Sequence, residues 1–159
     1  MARFDTEGLQ QVIDDMRRMG EQSGEAAKAL LMIGAEQVRI AWQQAAEKHG
    51  HKDTGALIRS IGYPRQPKQL GDILSIDIYP VGKDAKGVRN AEKAFILHYG
   101  TSKYPGSRWV DTADRISDAL VTPAMTEAWE RYLETGQLPN VSGLGGAGSA
   151  GGGITKTTN

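Results

Sequence analysis

The chain has no cysteine at all, which removes disulfide frameworks, thiolate metal centres and cysteine nucleophiles together. It has no apolar run near the roughly 20 residues that a membrane-spanning helix needs. Its start, Met1-Ala2-Arg3-Phe4-Asp5, leads into a polar amphipathic stretch and not into the apolar segment of a signal peptide. Net charge is missing too: 19 basic residues balance 19 acidic ones, so the whole-chain field calls for neither nucleic acid nor a membrane. These absences lead us to expect a chain kept in the cytosol or in something assembled there. At 159 residues it is expected to form one domain with an appended arm.

What is present is unevenly placed. Residues 1–50 hold six basic and eight acidic side chains, residues 51–110 hold ten and five, and residues 111–159 hold three and six. Such segregation suits subunits that meet head to tail, a basic face on an acidic one. A few solvated Lys and Arg on loops would give the same tally.

The N-terminal third has helical periodicity. Asp5 is placed to cap a helix whose apolar stripe is Leu9, Val12, Ile13, Met16 and Met19, with a staple between Phe4 and Leu9, and Gly20 is its expected stop. A second helix is expected from about 24 to 48, with Ala27, Leu31, Ala35, Val38, Trp42 and Ala45 on one face and Leu30, Ile33 and Ile40 widening it. Many of these residues are small, which lets a sheet or another helix approach closely.

The middle third has the pattern of strands. Residues 58–63 form a weak candidate closed by Pro64 and Pro67, and 72–80 a stronger one in which Leu74, Ile76 and Ile78 alternate with Ser75, Asp77 and Tyr79. A polar loop over 81–93 carries Lys83, Lys86, Arg89 and Lys93. A third strand is expected over 94–99, apolar on both sides and so central. It ends at Tyr99-Gly100-Thr101, where glycine permits a sharp turn. An irregular segment over 101–111 with Tyr104, Arg108 and Trp109 follows, then a helix over 112–120. Thr122-Pro123 then has the form of a new helix start, and Gly136 of its stop. We expect residues 1–136 to form the domain and 137–159 a glycine-rich arm, disordered alone because it buries too little apolar surface to offset its ordering entropy. A neighbouring subunit is the simplest thing to order it.

Chemical motifs are sparse. Gly143-x-Gly145-x-x-Gly148 matches the dinucleotide fingerprint in letters, but it follows a helix, opens none and lies in low-complexity glycine. His49, His51 and Asp53 approximate a metal cluster without a fourth ligand and sit where a helix ends. His98 with Ser60 or Ser102 lacks a nucleophile elbow, so a partly buried, hydrogen-bonded histidine is the better reading. Trp42, Trp109 and Trp129 are expected as core or interface anchors.

Thr54-Gly55-x-Leu57-x-x-Ser60-Ile61, the segment ending Tyr99-Gly100-Thr101, and Thr122-Pro123-Ala124 together resemble the tail-completion (neck) protein family of long-tailed bacteriophages, over roughly residues 5–135. The chain departs from that pattern in a longer segment between Gly100 and Pro123 and in its glycine arm. The resemblance implies an α+β fold: long N-terminal helices packed on a small antiparallel sheet, a C-terminal helix and the extended arm. It implies a structural virion protein at the head–tail junction, assembled in the host cytoplasm, with no enzymatic activity, cofactor, metal or membrane. The protein would form a homo-oligomeric ring, expected to be six-fold, that joins the head connector to the tail alongside other neck and tail proteins. Under it, Thr54, Gly55, Leu57, Ser60, Gly100 and Thr101 are turn-forming scaffold, and Tyr104, Arg108 and Trp109 a subunit interface. Lys83, Lys86, Arg89 and Lys93 would face channel DNA or an acidic partner. A tail terminator or head-closure (stopper) protein of the same neck is the alternative, followed by a small DNA-binding module. A hydrolase or metalloenzyme built on His98 or His51 comes last.

Overall fold

One helix, α1 (Thr6–Lys48), spans the N-terminal third of the computed structural model, which describes residues 6–51, 55–71 and 73–146, with the side chains of α1 described at Arg18 and Gly20 and from Ser23 onward. The two helices expected here are therefore one. A glycine in a helix interior costs about 1 kcal/mol but ends the helix only if the backbone turns left-handed. Neither Gly20 nor Gly24 does so. The expected Asp5 cap, the Phe4–Leu9 staple and the stripe from Leu9 to Met19 lie outside the described residues and side chains. The real stop is at Gly50, where the His51 N–H reaches Ala46 O at 2.9 Å and the Gly50 N–H reaches Glu47 O at 3.0 Å, a Schellman closure.

The buried stripe of α1 is nearly all alanine: Ala26, Ala29, Ala35, Ala41, Ala45 and Ala46, with Met32. Ala27, expected inside, is exposed. Small residues bring a second helix close, and that helix is α4 (Trp109–Thr135). It runs antiparallel to α1, since His49 bonds Thr112 at one end while Gly34 lies against Val121 and Met125 further along. A Cβ on Gly34 would stand 2.9 Å from Met125 Sδ, so the glycine sets the helix separation.

The restart expected at Thr122-Pro123 does not occur; α4 is continuous and Pro123 lies inside it. Proline there forfeits the bond to the fourth preceding carbonyl and would normally break a helix. Val121 and Met125 dock on α1 on either side of it, so tertiary packing outweighs the local preference. Gly136 closes α4 as expected, its N–H on Tyr132 O at 2.8 Å.

Between the long helices lie α2 (Ala56–Ser60), β1 (Ile61–Gly62), β2 (Lys68–Leu70), β3 (Ile73–Ser75), β4 (Tyr79–Pro80) and α3 (Asn90–Tyr99). The strands form two antiparallel pairs, β1 with β4 and β2 with β3, and the chain is α+β. The strand expected over 58–63 is helix as far as Ser60 and strand only at Ile61 and Gly62, and the one over 72–80 breaks into β3 and β4. The third expected strand is α3. Its buried residues are Asn90, Ala94 and His98, one every four positions, and this helical spacing accounts for an apolar run that seemed to face both ways.

Two clusters form the core. The larger packs Ala45, Ala46, Leu57, Ile61, Ala94, Trp109 and Ala113 together, with Trp42 edge-on to Trp109 at 5.3 Å between ring centroids. The smaller sets Met32, Ala35 and Tyr63 beneath Val141 and Leu144. The first ten residues of the arm thus fold back on α1, and the Gly146 N–H bonds Tyr63 O at 2.9 Å. Residues 147–159 lie outside the described residues. Among the described residues, no helix is long and apolar enough to cross a membrane.

Candidate interaction surface

The motif residues form the joints of the fold. Gly55 precedes α2 at φ 73, Leu57 is buried, and the buried Ser60 hydroxyl donates to Leu57 O at 2.6 Å. Ser60 is thereby committed to its own turn. Thr54 lies outside the described residues. At Gly100 the chain leaves α3 with φ 84 and ψ −173, a region essentially reserved for glycine. A Cβ there would stand 2.5 Å from Tyr104 O and 2.8 Å from Pro105 C. The Thr101 hydroxyl accepts the N–H groups of Lys103 and Tyr104, both at 3.2 Å, and the Thr101 N–H returns to Tyr104 O at 2.8 Å. The result is a tight turn that projects its tip into solvent.

That turn is locked to α3 and α4. The Ser107 N–H and hydroxyl both donate to Leu97 O at 2.9 Å. The Val110 N–H donates to His98 Nδ1 at 3.3 Å, which leaves the ring proton on Nε2, 3.9 Å from an Asp111 oxygen. His98 is the buried, hydrogen-bonded histidine expected from sequence, on a helix and not a strand.

Trp109 lies in the core and not at the surface where an interface residue was expected. It is the first residue of α4, fully buried, and its indole N–H donates to Ala94 O at 3.2 Å. It anchors the core and offers a partner nothing. Tyr104 is 72% exposed and Arg108 is exposed, its guanidinium 5.4 Å from the centroid of the Tyr99 ring. The strand assumption hid Phe95 and Tyr99, which are four apart on α3, touch at 4.7 Å between centroids, and are 63% and 58% exposed. Helical spacing of Phe95 and Tyr99 was the available signal. Phe95, Tyr99 and Arg108 thus form one outward aromatic and cationic cluster, with the exposed Tyr104 on the adjoining turn, the residue types that anchor protein interfaces.

The four basic residues do not act as one set. Lys83, Lys86 and Arg89 are exposed around a loop held by Asp84, whose carboxylate accepts the N–H groups of Lys86 and Val88 at 2.9 Å. Lys93, on α3, is paired with Asp84. The Lys93 hydrogen bond, helped by the Val88 amide, holds the Asp84 carboxyl below its ordinary range. Three cations therefore remain on this loop for a partner.

The other candidates resolve into structure. His49 bonds Thr112 and His51 bonds Ser107, each at 2.8 Å, so both imidazoles tie the end of α1 to the start of α4. Burial, and then the neighbouring His49, lower the pKa of His51. Asp53 lies outside the described residues, and no metal-holding group of three or more His, Asp or Glu occurs among the described ones. The glycines of 143–146 line a cleft of about 300 Å³ with Glu36, Arg39, Arg59 and Tyr63. Arg39 is paired with Glu36, which also accepts the Tyr63 hydroxyl at 2.6 Å. Burial works to raise the Glu36 carboxyl, but the hydrogen bonds from Arg39 and Tyr63 outweigh it and hold it low. Burial, then the bond to Glu36, pushes the Tyr63 phenol up. Glu36 and Arg39 are thus matched to one another within the cleft, and Gly143 and Gly145 of the fingerprint lie on the strap that lines it, while Gly148 lies outside the described residues.

Compared with models of protein families, with curated proteins and with solved structures, this chain has no match.

Proposed function

We propose that the protein is a structural component of the head–tail junction of a long-tailed bacteriophage, a tail-completion or neck subunit that works by ring assembly in the virion. The observation that carries this reading is the outward aromatic and cationic face of Phe95, Tyr99, Tyr104 and Arg108. It is held by the Gly100 and Thr101 turn, which is part of the motif that resembles that family. A small α+β body presenting fixed aromatic side chains to solvent is suited to being completed by another protein. The charge segregation along the chain points the same way. Lys83, Lys86 and Arg89 then face the DNA of the channel or an acidic neck partner.

The test is to remove the chain from phage production and examine the particles by electron microscopy. Filled heads and finished tails that fail to join are expected, with joining restored when the chain is supplied. Normal joined particles without it would refute the reading. In the same assay, replacing Lys83, Lys86 and Arg89 together by alanine should lower virion yield; an unchanged yield removes that loop from the mechanism. Salt-sensitive DNA binding by the isolated subunit would instead favour a DNA-binding module.

A further inference from the structure

The outer surface of α4 carries a second unpartnered apolar patch. Trp129 and Leu133 sit one turn apart and are 40% and 64% exposed. Around them Glu130 and Glu134 are exposed and form no ion pair among the described residues, while Glu127 is paired with Arg131. The stretch 124–135 that carries this patch holds three acidic residues and one basic one, and residues 81–108 hold six basic and two acidic. One patch is aromatic and cationic, the other apolar and anionic.

The two patches cannot meet within one molecule. Tyr104 and Arg108 lie at the N-terminal end of α4 and Leu133 near its C-terminal end, 25 residues apart along a helix that rises about 1.5 Å per residue. That separates Arg108 from Leu133 by roughly 37 Å along a helix packed on α1. Complementary patches at opposite ends of a rigid body meet only between molecules. Because the two differ, the contact is heterologous and leaves each newly added subunit with one patch free for the next.

We propose that the Phe95–Tyr99–Tyr104–Arg108 face of one copy docks on the Trp129–Leu133 end of α4 in the next copy, with Glu130 and Glu134 facing Arg108 and the cationic loop. The apolar side chains supply the buried centre and the opposed charges set partner choice and direction. This is the specific joint that the assembly reading requires, and it rests on that reading for its biological role.

The test uses the full chain and two variants made from exposed positions, followed by mass photometry or sedimentation velocity. Phe95→Glu with Tyr104→Glu spoils one face; Trp129→Lys with Leu133→Lys spoils the other. Each variant keeps the wild-type circular dichroism and melting curve, and each loses self-association by about 100-fold or more, as when interface anchors are removed. Mixed together, the two variants form 1:1 dimers that grow no further, because each joins through its intact face and leaves only spoiled ones. A wild-type chain that stays monomeric at several hundred micromolar overturns the proposal. So does assembly that survives either variant, or a mixture that stays monomeric. Should a variant unfold, Glu130→Lys with Glu134→Lys replaces it for the α4 face and Lys103→Glu for the other. Self-association through a different surface would sink this joint and leave the neck reading intact. The predicted dimer, in a chain that proves dispensable for joining heads to tails, would do the reverse.

Discussion

The two ends of the α1–α4 pair are built from similar residues and treated in opposite ways. Where α1 ends and α4 begins, a tryptophan is fully buried and edge-on to a second one, and two histidines bridge the helices through Thr112 and Ser107. Toward the C-terminus of α4, another tryptophan and a leucine stand in solvent. At the near end the tryptophan and the two histidines are all satisfied by partners in the chain itself. The far end leaves apolar surface and carboxylates unused. A tryptophan is therefore no guide to burial here; what decides is whether a second layer, α3 with its turn, covers the helix at that point.

Breaking the near end should cost most. Trp109→Ala removes a fully buried indole and its bond to Ala94 O, and a loss of about 3–5 kcal/mol is expected from urea unfolding. A loss below about 1 kcal/mol would mean that the near end is not the anchor. Gly100→Ala should follow at about 3 kcal/mol, from backbone strain and from the clash with Tyr104 and Pro105 together. Its thermal midpoint measures this, and an unchanged midpoint would contradict the turn described here.

A pH effect separates the ends further. The pKa of His51 is lowered on folding, so the unfolded chain takes up the proton first. The contribution of His51 to stability is complete above its unfolded value of about 6.5 and is lost as pH falls below it toward the lower folded value. His51→Gln should flatten the stability profile in that window, and an unaltered slope would exclude His51 as its source. The smallest effect belongs to the far end: Trp129→Ala should change subunit stability by about 0.5 kcal/mol or less. A large loss there would abolish the contrast.

Legibility from sequence followed the same division. The stops at Gly50 and Gly136 and the turn at Gly100 depend on local backbone chemistry, and the last two were readable directly. The buried, bonded His98 was foreseen as well. The failures came where distant packing overruled a local signal. Gly20 and Pro123 look like boundaries, yet both lie inside long helices, and Pro123 is held there by docking on α1 that no local window contains. The run over 94–99 is too short for its period to be certain until the whole of Asn90–Tyr99 is taken as one element. That single misreading concealed Phe95 and Tyr99 as surface residues, and it placed Trp109 on a loop when it starts a helix.

Pro123 has a consequence for timing. It has no N–H to bond the carbonyl of Ala119, so the ladder of α4 lacks a rung between its two halves. The half before it is clamped by α3 and the histidine bridges, while the half after it has α1 alone beside it. Such a helix opens in two steps, and its amide hydrogens should record them: those after Pro123 exchange through local opening, and those before it only when the whole subunit unfolds. The exposed end can then breathe and adjust on contact without loosening the body that carries it.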